Sequence, residues 1–186
     1  MTSQVVINSG TDILLAVLYA PGSTGTPGEP IRGFTKLEKM MFLVYEETDL
    51  KGVIGKNYHF EADNYGPCAT EIYDDIEMLK DANMLETESV DSDSLIESID
   101  FFDCAQNVED EALPPAKRVE VFKLTSKGAK VASMIFHALP SESQQKIILL
   151  KTLHNSKSVT ELIKYVYSKY PQTTTRSKIR DIVHLA

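Results

Sequence analysis

Two segments constrain this chain more than anything else in it. The first, Asn64-Tyr65-Gly66-Pro67, runs straight into a helix-patterned stretch over 68–85. In the second, Val119-Glu120-Val121-Phe122-Lys123-Leu124-Thr125-Ser126-Lys127-Gly128-Ala129, an alternating pattern gives way to helical spacing. Alternation marks a half-buried strand, and apolar residues three and four apart mark a helix face. A helix, a strand, a variable loop, a returning strand and a closing helix follow the winged-helix order. The expectation is a mainly α (α+β) fold: a winged-helix-like domain with a small antiparallel sheet over 1–139, an acidic wing insert at 86–115, and a helical extension over 140–186.

The remaining segments fit this plan. Residues 11–19 predict a short buried helix, ended by Ala20-Pro21-Gly22. Pro30-Ile31-Arg32 reads as a short strand. Thr35 and Glu38 have capping-box spacing, and Leu37, Met40, Met41, Val44 and Tyr45 then share a face. Another strand is expected near 59–62. Gly66 is read as supplying a backbone angle that other residues resist, Pro67 as fixing the first turn of the next helix, and Asn64 and Tyr65 as packing across the turn. Ala69, Ile72, Ile76 and Leu79 make the core stripe of that helix, opposite Glu71, Asp74, Asp75, Glu77 and Asp81.

Thr125 is expected to cap a helix that Pro140 stops, and the helix over 141–155 to bury Ile147, Leu150 and Leu153. Ser158 and Glu161 form a second capping box, ahead of the stripe Leu162, Ile163, Val166 and Tyr170. A last helix is read over 177–185. The apolar faces of 141–155 and 158–170 exceed what one small sheet needs, which predicts a homodimer.

Charge is distributed unevenly. Residues 1–114 hold 6 Lys and Arg against 23 Asp and Glu, net −17, whereas 115–186 hold 13 against 4, net +9. The acidic whole disfavours loose nucleic-acid binding, but the basic third can supply a local phosphate-binding face. The longest apolar run, 13–20, is too short to span a bilayer, and Met1-Thr2-Ser3-Gln4 lacks a basic region followed by an apolar block, so the expected compartment is the cytoplasm. Cys68 and Cys104 stand outside any metal-ligand spacing and read as reduced thiols.

Three functions are open to these residues. In the winged-helix plan the helix after the turn enters the major groove. Here that helix is acidic and would repel phosphates. Any DNA would therefore be held by Lys117, Arg118, Lys123, Lys127 and Lys130 around the returning strand, and by Arg176, Lys178 and Arg180 near the end. The same lysines and arginines serve equally as solvated surface. Glu71, Asp74, Asp75, Glu77 and Asp81, with the acidic insert, suit a basic protein partner, for instance a nucleic-acid-binding protein whose basic face they cover. Catalysis has the least support. His59, His137, His154 and His184 form no HExxH, no GxSxG and no phosphate loop occurs, and 52–56 has the wrong spacing for one. Cys68 reads as a small core or capping residue, His154 and His184 as surface residues near helix ends. No catalytic residue, metal or cofactor is assigned.

Gly33-Phe34-Thr35-Lys36-Leu37-Glu38-Lys39-Met40 resembles the G-R-T-K-L-Q-K-L opening of the YwgA-like prokaryotic proteins. Residues 60–73 resemble their F-x-x-Y-x-Y-G-P-[FY]-S-x-E-[LI]-Y segment, and 122–128, ending in Gly128, their Y-x-L-T-x-x-G. The Panacea-type antitoxin domain has a related layout. The match runs over about 11–170 and departs at Phe34, Asp63 and Cys68-Ala69. The resemblance singles out Thr35, Lys36, Asn64, Tyr65, Gly66, Pro67 and Gly128 as structural, and it brings no catalytic residues. It implies a regulatory binding module: a DNA-binding transcription regulator, or an antitoxin-like protein that masks a basic partner.

Overall fold

The run Ile13-Leu14-Leu15-Ala16-Val17-Leu18 is apolar on every side, and helix α1 (Gly10–Tyr19) buries all of it. The computed structural model describes residues 6–52, 54–92 and 118–177. Around α1 stand strand β1 (Ile31–Arg32), helix α2 (Phe34–Glu47), a ribbon of β2 (Glu61–Asp63) and β3 (Gly66–Cys68), and helix α3 (Glu71–Asp81). Strands β4 (Leu85–Asp91) and β5 (Arg118–Leu124) follow, then helices α4 (Ser126–Ala138), α5 (Ser141–His154) and α6 (Val159–Lys169). A 3-10 turn, Pro171–Thr174, follows α6. The result is a mainly α architecture with one three-stranded antiparallel sheet, order β1-β5-β4, and a separate two-stranded ribbon.

Val119 and Phe122 are buried on opposite faces of β5, and Ile31, opposite Phe122, is buried on the same face as Phe122. β4 and β5 pair from Leu85↔Leu124 to Asp91↔Arg118, so the base of the expected insert is a regular hairpin. Its tip at 93–115, Cys104 and the helix read over 177–185 lie outside the described residues, apart from Ser177. The N-terminus of α4 is pinned to the turn after α3. Thr125 Oγ1 accepts the Gly128 N–H at 3.0 Å and donates to the Asn83 carbonyl at 2.8 Å. A Cβ on Gly128 would stand 1.9 Å from the Met84 carbonyl oxygen, so only glycine allows this approach.

Three buried lysines hold the helices together by donating to backbone carbonyls. Lys36 reaches Asn155 (3.1 Å) and Lys157 (2.7 Å) at the end of α5, and Lys151 reaches Val17 (3.0 Å) and Leu18 (2.9 Å) at the end of α1. Lys39 reaches Pro67 (2.7 Å). These ammonium groups satisfy carbonyls that helix ends and a short strand leave open.

Four expectations need correction. Pro67 does not open a helix: it sits in β3 opposite Ala62, and α3 begins at Glu71. Lys39 on the Pro67 carbonyl and the Glu38 carboxylate on the Ala69 N–H (3.2 Å) hold this stretch extended, and proline is tolerated in so short a ribbon. The same contacts remove Glu38 from the capping box expected with Thr35, and the N-cap of α2 is Gly33, at φ +89°. In α5 the inward line is Ile147, Leu150, Lys151 and His154, which leaves Leu153 46% exposed. His154, read as a surface residue, is buried because α6 packs its Tyr165 ring upon it.

Candidate functional site

The ribbon β2–β3 builds one wall of a cavity. Its register pairs Glu61 with Cys68 and Asp63 with Gly66. Opposite partners share a face, and so do residues two apart on a strand. Glu61, Asp63 and Cys68 therefore point to one side, and the cavity they line, about 290 Å³, also takes in His59, Thr70, Glu71 and Arg176. Three carboxylates thus face two groups able to carry positive charge. One oxygen of Asp63, Oδ2, is buried with no hydrogen-bond partner among the described residues. An unsatisfied buried carboxylate oxygen is costly. Glu71 is partly engaged, with its Oε1 3.3 Å from both His59 N and His59 Nδ1.

The ribbon is held firmly from behind. Lys39 is 0% exposed and pairs with the Glu38 carboxylate at 2.6 Å while donating to Pro67. Gly66 adopts φ +94°, as expected of it, and a Cβ there would stand 2.7 Å from the Tyr167 ring. Tyr167 lies 2.6 Å from Ser177 Oγ through its hydroxyl, and the 3-10 turn packs on both ribbon strands. Tyr65 packs on the core, and with Asn64 makes the turn between the strands.

A smaller hollow, about 30 Å³, shares the Glu71 wall and is lined by Thr11, Lys56, Asn57, Tyr58 and Asp75. Asp75 accepts from the Tyr58 hydroxyl (2.5 Å) and from Thr11 Oγ1 (2.7 Å). Burial, reinforced by the Asp75 carboxylate, pushes the Tyr58 hydroxyl well above the ordinary tyrosine range. Asp75 is thus an internal acceptor. Of the acidic set read from sequence, Asp74, Glu77 and Asp81 are exposed on α3, Glu71 walls the cavity, and Asp75 turns inward. Met78 is 50% exposed among the three outer carboxylates.

The basic set is dispersed and largely engaged. Arg118 stands 3.6 Å from Asp91 across the hairpin, and Lys123 pairs with Glu88 in the same way. That contact raises the Lys123 pKa and lowers that of Glu88. Lys127 donates to the Ala82 carbonyl at 2.7 Å. Lys130 is exposed on α4, and Arg176 lies apart from these, in the ribbon cavity. Lys117, Lys178 and Arg180 lie outside the described residues.

Sequence reasoning set His59 and Cys68 aside and did not single out Glu61 or Asp63. The available signal was the alternation of His59, Glu61 and Asp63, three polar side chains on one face of a strand. Among the described residues no group of three His, Cys, Asp or Glu side chains could hold a metal ion, and no helix is long and apolar enough to cross a membrane. Comparisons with family models, curated proteins and solved structures find no match to the chain.

Proposed function

We propose that this protein is a non-enzymatic, winged-helix-like binding module whose partner is a basic protein segment, engaged by the ribbon cavity and the outer face of α3. The order α1-β1-α2-α3-β4-β5 with sheet order β1-β5-β4 supports the winged-helix reading, with the ribbon inserted between α2 and α3. The observation that carries the partner class is the gathering of the Glu61, Asp63 and Glu71 carboxylates around one cavity. Asp74, Glu77, Asp81 and Glu86 add exposed carboxylates to it, Glu77 paired with Lys80, and the exposed Met78 lies among those of α3. A guanidinium or ammonium in the cavity and an apolar contact at Met78 form a coherent epitope, and complementary potentials steer such encounters.

The DNA-binding reading has less behind it. Arg118 and Lys123 are matched by Asp91 and Glu88, and the helix in the groove-reading position is acidic. Fluorescence anisotropy decides between the two, with an oligo-arginine peptide and a random DNA duplex as probes over a salt series. The expected result is salt-sensitive peptide binding, lost in Asp63→Asn and in Asp74→Lys/Glu77→Lys/Asp81→Lys, with no duplex binding. Salt-sensitive duplex binding without peptide binding would overturn the proposal.

A further inference from the structure

His154 closes α5 at 2% exposure, and neither ring nitrogen has a hydrogen-bond partner among the described residues. Its ring lies on that of Tyr165 in α6, centroids 4.8 Å apart. The charged groups about this corner come from three elements. α2 contributes Glu47 and the Lys36 ammonium, the turn after α5 contributes Lys157, and α6 contributes Lys169. Glu47 is already occupied: its Oε1 lies 2.9 Å from the Lys169 ammonium and accepts from the Tyr165 and Tyr170 hydroxyls at 3.3 Å each. A proton on His154 would thus meet the opposing charges of Lys157 and Lys169, and in Glu47 a carboxylate whose Oε1 already takes three donors. Burial, then Lys157, hold the imidazole pKa below the ordinary histidine value against the pull of Glu47.

The corner is linked to the ribbon. α6 carries Tyr167, which packs on Gly66, and leads into the 3-10 turn that covers β2 and β3 and on to Arg176 in the cavity wall. We infer that His154 is an acid-sensitive latch: its protonation frees α6 and the following turn from α2 and α5, and so loosens the ribbon cavity. The effect on partner binding rests on the reading given above; the opening of the corner does not.

The sign follows from the lowered pKa. The folded state resists the proton, so the latch holds above the ordinary histidine value and is weakened as pH falls below it. Hydrogen exchange of the full chain, corrected for intrinsic rates, tests this at about pH 7.5 and about pH 5.5, with His154→Phe as the variant that cannot be protonated. In the wild type, amides of 159–169 and 61–68 should exchange roughly tenfold faster at the lower pH, with those of α4 unchanged, and the variant should show no such difference. Unchanged protection in the wild type, or the same acid response in the variant, overturns the inference. If the variant does not fold, NMR titration of the wild-type imidazole decides: a His154 ring that titrates at or above the ordinary histidine value also overturns it. No ligand enters either measurement, so failure of the peptide probe to bind is a separate result.

Discussion

The ammonium of Lys39 donates to the carbonyl of Pro67 at 2.7 Å, so the charged middle of α2 and the Gly-Pro strand of the ribbon form one unit. Lys39 is also ion-paired with Glu38, whose other oxygen takes the Ala69 N–H. Removing one member of such a pair strands a buried charge. Lys39→Met should therefore cost about 3–5 kcal/mol. Adding Glu38→Gln should recover part of that loss, because the residual carboxylate is neutralised. Urea denaturation of the two singles and the double checks it. Strictly additive losses would show that Lys39 and Glu38 act independently.

The part of this fold legible in the sequence is the part governed by local periodicity. α1, β5 with its Thr125 cap, and the Ser158–Glu161 capping box of α6 all stand where spacing and capping place them. Local spacing starts α3 too early because nothing local says that Pro67 and Ala69 are held by side chains 28 and 31 residues earlier in the chain. A tertiary contact there overrides the usual preference of proline for a helix's first turn. The acidic face of α3 was legible, but the inward turn of Asp75 depends on Tyr58 and Thr11. The ribbon cavity was hidden because its wall joins residues from 59 to 71 with Arg176, a juxtaposition that no spacing rule encodes.

Gly128 tests the approach of α4 to the turn after α3. An alanine Cβ would meet the Met84 carbonyl oxygen at 1.9 Å, a backbone atom fixed by its bond from Thr125 N. Gly128→Ala should destabilise by roughly 3 kcal/mol or more, although alanine is otherwise the better helix former. A thermal melt unchanged from the wild type would mean that α4 stands farther from Met84.

Lys151 gives the fold an alkaline tilt. Burial lowers its pKa to about 7 against the pull of Glu29, while an unfolded lysine titrates at about 10.5. The unfolded chain thus binds more protons between these values, and stability should rise with pH from about 7 upward. The rise should turn over above about 10, where the unfolded chain ionises tyrosines such as Tyr45, which burial pushes up to about 12 in the fold. Lys151→Met removes the proton equilibrium and should flatten the rising limb, though it leaves the Val17 and Leu18 carbonyls without their donor. Urea midpoints over this range decide, and equal slopes in both proteins would assign the tilt elsewhere.

The carboxylates of α3 should separate by role. Asp75 holds the Tyr58 hydroxyl and Thr11 beneath the surface, so Asp75→Ala should cost about 1–3 kcal/mol by leaving those donors unsatisfied. Tyr58→Phe should cost about 1 kcal/mol or somewhat more, as one hydrogen bond to a charged acceptor is lost while the ring stays. Asp74→Lys and Glu77→Lys remove no buried contact and should leave stability within about 0.5 kcal/mol of the wild type. Binding of the oligo-arginine probe should follow the opposite order, weakened by the α3 surface changes and little affected by Tyr58→Phe. Parallel denaturation and anisotropy on the four variants supply the check. If Tyr58→Phe and Glu77→Lys lowered stability and binding alike, the division between an inner acceptor and an outer docking face would be wrong. Measuring the acids of one helix side by side holds their host element constant, so the difference reports on the neighbours that each side chain meets.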